Sequence, residues 1–256
     1  MKRIGLLLVV LLGFFGVNGW AGEAEVSEQL DYTLYFNWKF VWIKAGRASL
    51  VTRPVTYKGQ DAVVATLLAN SSETADNLYY LRDTLTTTVS RNGIPLYFEK
   101  HCIEGKDVVW ERAWYSRTDD DRYCVNLRKD YVDGRVREDR WTGLQQPYDL
   151  VSIMLHARSL DLDALTVGQR LTFPIVDSKK VLNQTLVYLG RQQIKAEGGG
   201  LVECHAFSLK SQLANLSTNG QEEKEILRFY LATSAQHVPL QIDINFRFGS
   251  AKAKLR

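Results

Sequence analysis

Between residues 240 and 248 the chain alternates without a break. Leu240, Ile242, Ile244, Phe246 and Phe248 stand between Gln241, Asp243, Asn245 and Arg247. Successive side chains of a β-strand point to opposite faces, so such a segment buries one face and wets the other. β-prone runs recur over most of the chain. Residues 48–52, 62–69, 85–90, 96–103, 108–116 and 123–128 read as strands, with turn residues at Asn92-Gly93, Glu104-Gly105-Lys106, Asp119-Asp120-Asp121 and Asp133-Gly134. Strands resume at 169–176, 185–190, 201–209, 225–231 and 240–248. Short strands joined by such turns specify an antiparallel meander. A sheet this large either closes on itself or leaves edges open to other chains. The expected fold is therefore all-β with one short helix, built as a curved antiparallel sheet or a barrel.

The one helix expected starts at Pro147-Tyr148-Asp149, with Asp149 as its N-cap. Leu150, Ile153, Met154 and Ala157 recur at helical spacing and define one apolar face. This segment, 141–168, either interrupts a single domain of 22–256 or divides it into two half-sheets. Residues 32–42 read as one long strand with a bend near Lys39. Leu34, Phe36, Trp38, Phe40 and Trp42 then share a face, and Phe36 and Trp38 are expected to point inward while Asn37 and Lys39 point away.

The amino terminus reads as an export signal. Met1-Lys2-Arg3 is basic, residues 4–17 are uncharged and apolar, and Gly19-Trp20-Ala21 offers the small-x-small exit a signal peptidase cuts after Ala21. The apolar run is shorter than the roughly 20 residues of a spanning helix, and no later stretch is long and apolar enough to span. The expected location is the periplasm, with residues 1–21 removed. Loss of Lys2 and Arg3 leaves 30 basic against 29 acidic residues. A nearly neutral chain gives no electrostatic footprint for nucleic acid. Cys102, Cys124 and Cys204 are too few for a disulfide framework. Cys102 and Cys124 fall two strands apart in the meander, about 10 Å at the usual spacing of about 4.8 Å, so they are not expected to pair.

No catalytic motif is visible: the sequence lacks a Gly-x-Ser-x-Gly elbow, a His-Glu-x-x-His pair and a phosphate-cradling glycine loop. The histidines 101, 156, 205 and 237 are dispersed. His101-Cys102 and Cys204-His205 are strand neighbours on opposite faces, so neither pair chelates a metal from one side. No metal or cofactor is expected. Asp119-Asp120-Asp121 has acids but not the spaced ligands of a calcium loop, and reads as a solvated hairpin tip. The carboxylates that an unseen glycan-cleaving site would draw on include Glu99, Glu111 and Asp243.

The candidate ligand-binding residues are Trp38, Trp42, Tyr80, Arg82, Asp83, Trp110 and Trp114. The aromatics either line a cavity for an acyl chain or a sugar, or simply fill the core of a closed β domain. Arg82-Asp83 either orients a ligand among them or closes the sheet as a structural ion pair. Trp110 and Trp114 have the same parity and share a face.

Several segments together resemble one known family. They are residues 32–46 (YTLYFNWKFVWIKAG), Tyr80-Leu81-Arg82-Asp83-Thr84, Asn92-Gly93-Ile94-Pro95, Tyr148-Asp149-Leu150-Val151-Ser152, Val167-Gly168-Gln169 with Gly190, residues 200–204, and His237-Val238-Pro239-Leu240 with Gly249. Their order is similar to that of the exported bacterial domain-of-unknown-function family 3108. The resemblance implies an all-β envelope protein of Gram-negative bacteria and brings no catalytic residue with it. The expected function is a non-enzymatic envelope domain binding an apolar, lipid-like or glycan ligand. The alternatives are a structural or assembly partner of other envelope proteins, or a hidden carboxylate-based enzyme acting on glycans.

Overall fold

A computed structural model describes residues 28–38, 41–77, 79–105, 107–177, 180–215, 220–246 and 249–256. The first half of the chain forms β1 (Glu28–Trp38), β2 (Val41–Tyr57), β3 (Gln60–Ser71), the single turn α1 (Glu73–Asp76), β4 (Leu81–Ser90), β5 (Pro95–Glu104), β6 (Asp107–Arg117), β7 (Tyr123–Asp130) and β8 (Val136–Leu144). Helix α2 (Ser152–Arg158) follows. The second half forms β9 (Arg170–Asp177), β10 (Lys180–Lys195), β11 (Leu201–Asn215), β12 (Gly220–Ala232), β13 (Pro239–Phe246) and β14 (Gly249–Leu255).

All the strands belong to one 14-stranded antiparallel sheet, in the order β8-β7-β6-β5-β4-β3-β2-β1-β14-β13-β12-β11-β10-β9. Strands adjacent in the chain are adjacent in the sheet except β8 and β9, and the seam between β1 and β14 joins the two halves. The outer edges, β8 and β9, are drawn together by the chain that follows β8. Tyr148 makes a parallel bridge to Ile175; its N–H donates to the Pro174 carbonyl and its own carbonyl accepts from Val176, both at 2.9 Å. The result is a nearly closed barrel.

Three sequence expectations change. The segment 32–42 is not one strand, because Trp38 pairs with Val41 and the chain doubles back between β1 and β2. Lys39 and Phe40 lie outside the described residues. Trp42 consequently pairs with Asn37 and stands on the outer face, 44 % exposed. Tyr32 and Leu34 are the buried aromatic and aliphatic of β1, whereas Phe36 is only half-buried. The strand expected over 240–248 is β13, which ends at Phe246, and the chain turns back there to pair Phe246 with Gly249; Arg247 and Phe248 lie outside the described residues. Lastly, α2 does not present one apolar face. Ile153, Met154, Leu155, Ala157 and even Ser152 and Arg158 are buried, and a helix buried all round lies inside a structure rather than on it.

Its contacts show where it lies. Asp149, just ahead of α2, accepts a hydrogen bond from Thr87 of β4 at 2.8 Å. At the far end Arg158 donates from Nε to the Gln236 carbonyl at 2.8 Å and pairs with Glu28 of β1 at 3.5 Å. β1 sits mid-way along the strand order, as far as the sheet allows from the β8 and β9 edges where the segment starts. The connector therefore crosses the lumen. It packs in one hydrophobic cluster with inward residues such as Leu50, Leu85, Val125, Ile175, Phe207 and Ile242, all buried. The buried residues also include the charged Asp83, Lys100, Glu111 and Lys129. No helix among the described residues is long and apolar enough to cross a membrane.

Candidate functional site

The aromatic side chains sought as a cavity lining stand on the outer wall. On β6 the inward positions are Glu111, Ala113 and Tyr115, and Trp110, Arg112 and Trp114 point out. Trp110 and Trp114 do share a face, but not the core one. Cross-strand registry places Trp114 beside Tyr97 and Trp110 beside His101 of β5. Tyr57, at the end of β2, stacks on Tyr97 with ring centroids 6.4 Å apart, and Tyr97 meets Trp114 at 5.8 Å. His101 and Trp110 lie 6.0 Å apart.

Polar groups are interleaved with these rings. Glu99 accepts hydrogen bonds from Trp110 Nε1 at 2.8 Å and from the Tyr97 hydroxyl at 3.1 Å. Burial and the Glu99 carboxylate push the Tyr97 phenol up to about 12, so it stays a donor. The Arg112 guanidinium lies 4.9 Å above the Trp110 ring and pairs with Asp130 at 2.5 Å. Arg128 also grips Asp130, at 3.0 Å, and hydrogen bonds from Arg128 and Arg112 hold that carboxyl below its ordinary range. Thr84, Thr86 and Thr88 continue the same face across β4, opposite His101, Glu99 and Tyr97.

Of the other candidate residues, Tyr80 is 37 % exposed and lies 4.4 Å from the Arg82 guanidinium. Trp42 has the Lys252 ammonium 5.2 Å from its ring, on another part of the wall. The Trp38 side chain lies outside the described residues. Arg82 and Asp83 do not form a pair. Adjacent on β4, they point to opposite faces: Arg82 clamps Asp76 of α1 at 2.7 Å and donates to Ser71 Oγ at 2.8 Å, whereas Asp83 is buried inside. The pair reading fails for the reason that separates His101 from Cys102, the two-residue period of a strand.

Asp83 instead belongs to an inner polar cluster. It pairs in register with Cys102 on β5, and Glu104, two residues on, shares that inner face. One oxygen from each acid and the Cys102 sulfur lie within 4.8 Å of one another. The Tyr79 hydroxyl donates to Glu104 at 3.1 Å. Burial lifts Asp83 to about 6 despite the pull of Cys102 and Lys100, and burial together with Asp83 lifts Glu104 to about 8. Burial likewise drives the Cys102 thiol well up. In the next inward row Glu111 of β6 meets Lys129 of β7, its register partner, in a buried ion pair. The carboxylates Glu99, Glu111 and Asp243 do not converge, because Glu99 and Asp243 face outward and Glu111 inward.

The structure also joins two distant histidines. His205 on β11 and His237 before β13 have ring centroids 6.1 Å apart. His205 Nδ1 bonds the Tyr188 hydroxyl at 2.9 Å, and its Nε2 lies 3.8 Å from Asp163, itself held by Arg191 at 2.8 Å. His237 is fixed by a 2.9 Å bond from Nδ1 to the Arg158 carbonyl and has φ 46°. No spacing signal links these residues; the pairing of β11 with β12 and the turn from β12 to β13 bring them together. Asp119-Asp120-Asp121 is an exposed hairpin tip, with Asp121 in an ion pair to Arg117 at 2.9 Å. The cysteines are unpaired, and Cys102 faces inward two strands from Cys124.

The sequence matches the family described as Protein of unknown function (DUF3108) over residues 31–256. The chain belongs to the DUF3108 family. A search of curated proteins gives no match. Among solved structures, this DUF3108 barrel is similar to the "Beta-barrel-like Protein of Domain of Unknown Function DUF1849 from Brucella abortus". The TM-score is 0.52 at 12 % identity, covering 89 % of this chain and 95 % of that one. At that identity the likeness concerns the fold alone.

Proposed function

We propose that this DUF3108 chain is an exported, non-enzymatic envelope domain that binds glycan on its outer wall. The observation that carries the reading is the position of the aromatic strip. Tyr57 stacks on Tyr97, which meets Trp114 at a tilt, in a row on the outside, while α2 occupies the lumen that an acyl chain would need. A sugar ring has an apolar C–H face that stacks on aromatic rings and a rim of hydroxyls that need donors and acceptors. Glu99, Arg112, Asp130 and the threonines of β4 supply both within reach of the rings. A docking site for an apolar protein surface would expose a contiguous aliphatic patch. Here charged groups are set between the rings, which favours glycan over the partner reading.

The export half of the proposal rests on the basic start, apolar run and Gly19-Trp20-Ala21 exit. Amino-terminal sequencing of the protein from a periplasmic extract should begin at Gly22. A chain still starting at Met1 and sedimenting with membranes contradicts it. Binding is tested by tryptophan fluorescence during titration with soluble peptidoglycan fragments and β-linked glucan oligomers. At least one series should give a saturable change that is lost in Trp110→Ala and Trp114→Ala and kept in Trp42→Ala. No response to any glycan, or one that survives both substitutions, rejects the outer-wall site.

A further inference from the structure

We propose that Asp83, Cys102 and Glu104 form a binding site for a zinc-type divalent transition-metal ion at the inner face of the barrel. The strand geometry supplies the donors. Cys102 and Glu104 are two apart on β5 and project to one side, and Asp83 faces Cys102 from β4. One oxygen from each acid and the sulfur lie within 4.8 Å of one another, so small rotamer changes bring all of them to one ion.

The independent sign of a ligand is Asp83 itself. It is 2 % exposed and aims into this cluster, and beyond the Cys102 thiol, the Glu104 carboxyl and the Ile103 backbone that flank it, neither carboxylate oxygen has a hydrogen-bond partner among the described residues. Buried carboxylates are ordinarily paired, hydrogen-bonded or coordinated to a metal. The other acids nearby are accounted for: Glu111 of the next row is bound by Lys129. Facing the cluster, Lys100 is the cation acting on Asp83, Cys102 and Glu104, against two carboxyls and the more distant Asp107. Lys100 brings one positive charge against two carboxyls and a thiol, which leaves room for a further cation.

The donor set selects its class. One thiolate with two carboxylates suits Zn²⁺, which takes sulfur at about 2.3 Å and carboxylate oxygen at about 2.0–2.2 Å. Calcium and magnesium want oxygen alone. Three protein donors leave a fourth position for water, which Glu104, half-exposed, connects to solvent. Binding releases the thiol proton, and any proton on the two carboxyls, to solvent; nothing is oxidised or reduced.

Co²⁺ is a coloured stand-in for Zn²⁺. Titrated into the reduced, chelator-treated full-length mature chain, it should give a thiolate-to-cobalt charge-transfer band that saturates at one equivalent and is bleached by Zn²⁺. Cys102→Ser should remove the band, and Cys124→Ser and Cys204→Ser should keep it. Asp83→Asn should weaken Co²⁺ at least about 10-fold, since even outer partners of a metal site change affinity by that much. Near-UV circular dichroism checks that each variant is folded, and if Cys102→Ser is not, Glu104→Gln replaces it under the tenfold criterion. No band in the unmodified chain, a band that survives Cys102→Ser, or unchanged affinity in Asp83→Asn or Glu104→Gln overturns the site.

Discussion

At the scale of single residues, Gly46 shows why a small side chain sits in the segment 44–46. A Cβ there would lie 2.1 Å from the Asn70 carbonyl oxygen, on backbone that cannot swing aside. Gly46→Ala should therefore cost about 1–3 kcal/mol by overpacking, read as a lowered denaturant midpoint with unchanged slope; an unchanged midpoint contradicts it. His205 gives a pH prediction. Burial holds its pKa below the ordinary value, outweighing Asp163. The unfolded chain then binds the proton more readily, so stability is full above about pH 6.5 and is lost as pH falls through the lower folded value. Asp83 and Glu104, held high, act in the opposite sense over the same range, so the effect is read as a difference: between about pH 7 and pH 5 the melting midpoint of His205→Asn should gain on that of the unmodified chain. Equal slopes for the two proteins would refute this. Parity was legible residue by residue, and the face was not. Trp110 and Trp114 were correctly placed together, yet nothing local shows that their side is wet while that of Glu111 is dry. The reason is non-local: Lys129, on the next strand, neutralises Glu111 inside.

At the scale of elements, the strands were legible because a half-buried strand writes a period of two into its sequence. The misses have local causes. The reversal between Trp38 and Val41 contains no glycine, proline, asparagine or aspartate, so no turn chemistry marks it. β8 was missed because its residues are mostly polar, and α1 because it is one turn long. The α2 start was readable to within about two residues: the helix begins at Ser152 with Val151 at its cap position, and Asp149 closes the turn just ahead of it. Asp149 accepts from the N–H groups of Val151 and Ser152, each at 2.8 Å, and the Ser152 hydroxyl takes the Asp149 N–H at 2.9 Å, a reciprocal cap. The same carboxylate also receives Thr87, so it fastens the helix to the barrel wall. Asp149→Ala strands several buried donors and should cost about 3 kcal/mol or more, well beyond an ordinary cap. Thr87→Ala, losing a single bond to a charged group, should cost about 1.5–3 kcal/mol. Chemical denaturation of both variants checks the order; equal small losses would mean that the cap does not anchor the helix.

At the scale of the whole molecule, the meander makes every strand pair local except β1 with β14 and the Tyr148 bridge. The antiparallel order follows from the hairpin turns. Closure did not, because it depends on one connector whose apolar residues look like those of any amphipathic helix. With the lumen filled, the binding proposed above falls to the outer wall, which carries the aromatic strip. The most direct test of the filled lumen compares Ile153→Ala, inside, with Trp110→Ala, outside, by the free energy of unfolding. The filled barrel predicts a loss of about 2–5 kcal/mol for Ile153→Ala and a change within about 0.5 kcal/mol for Trp110→Ala. A large loss for Trp110→Ala with a negligible one for Ile153→Ala would contradict the account.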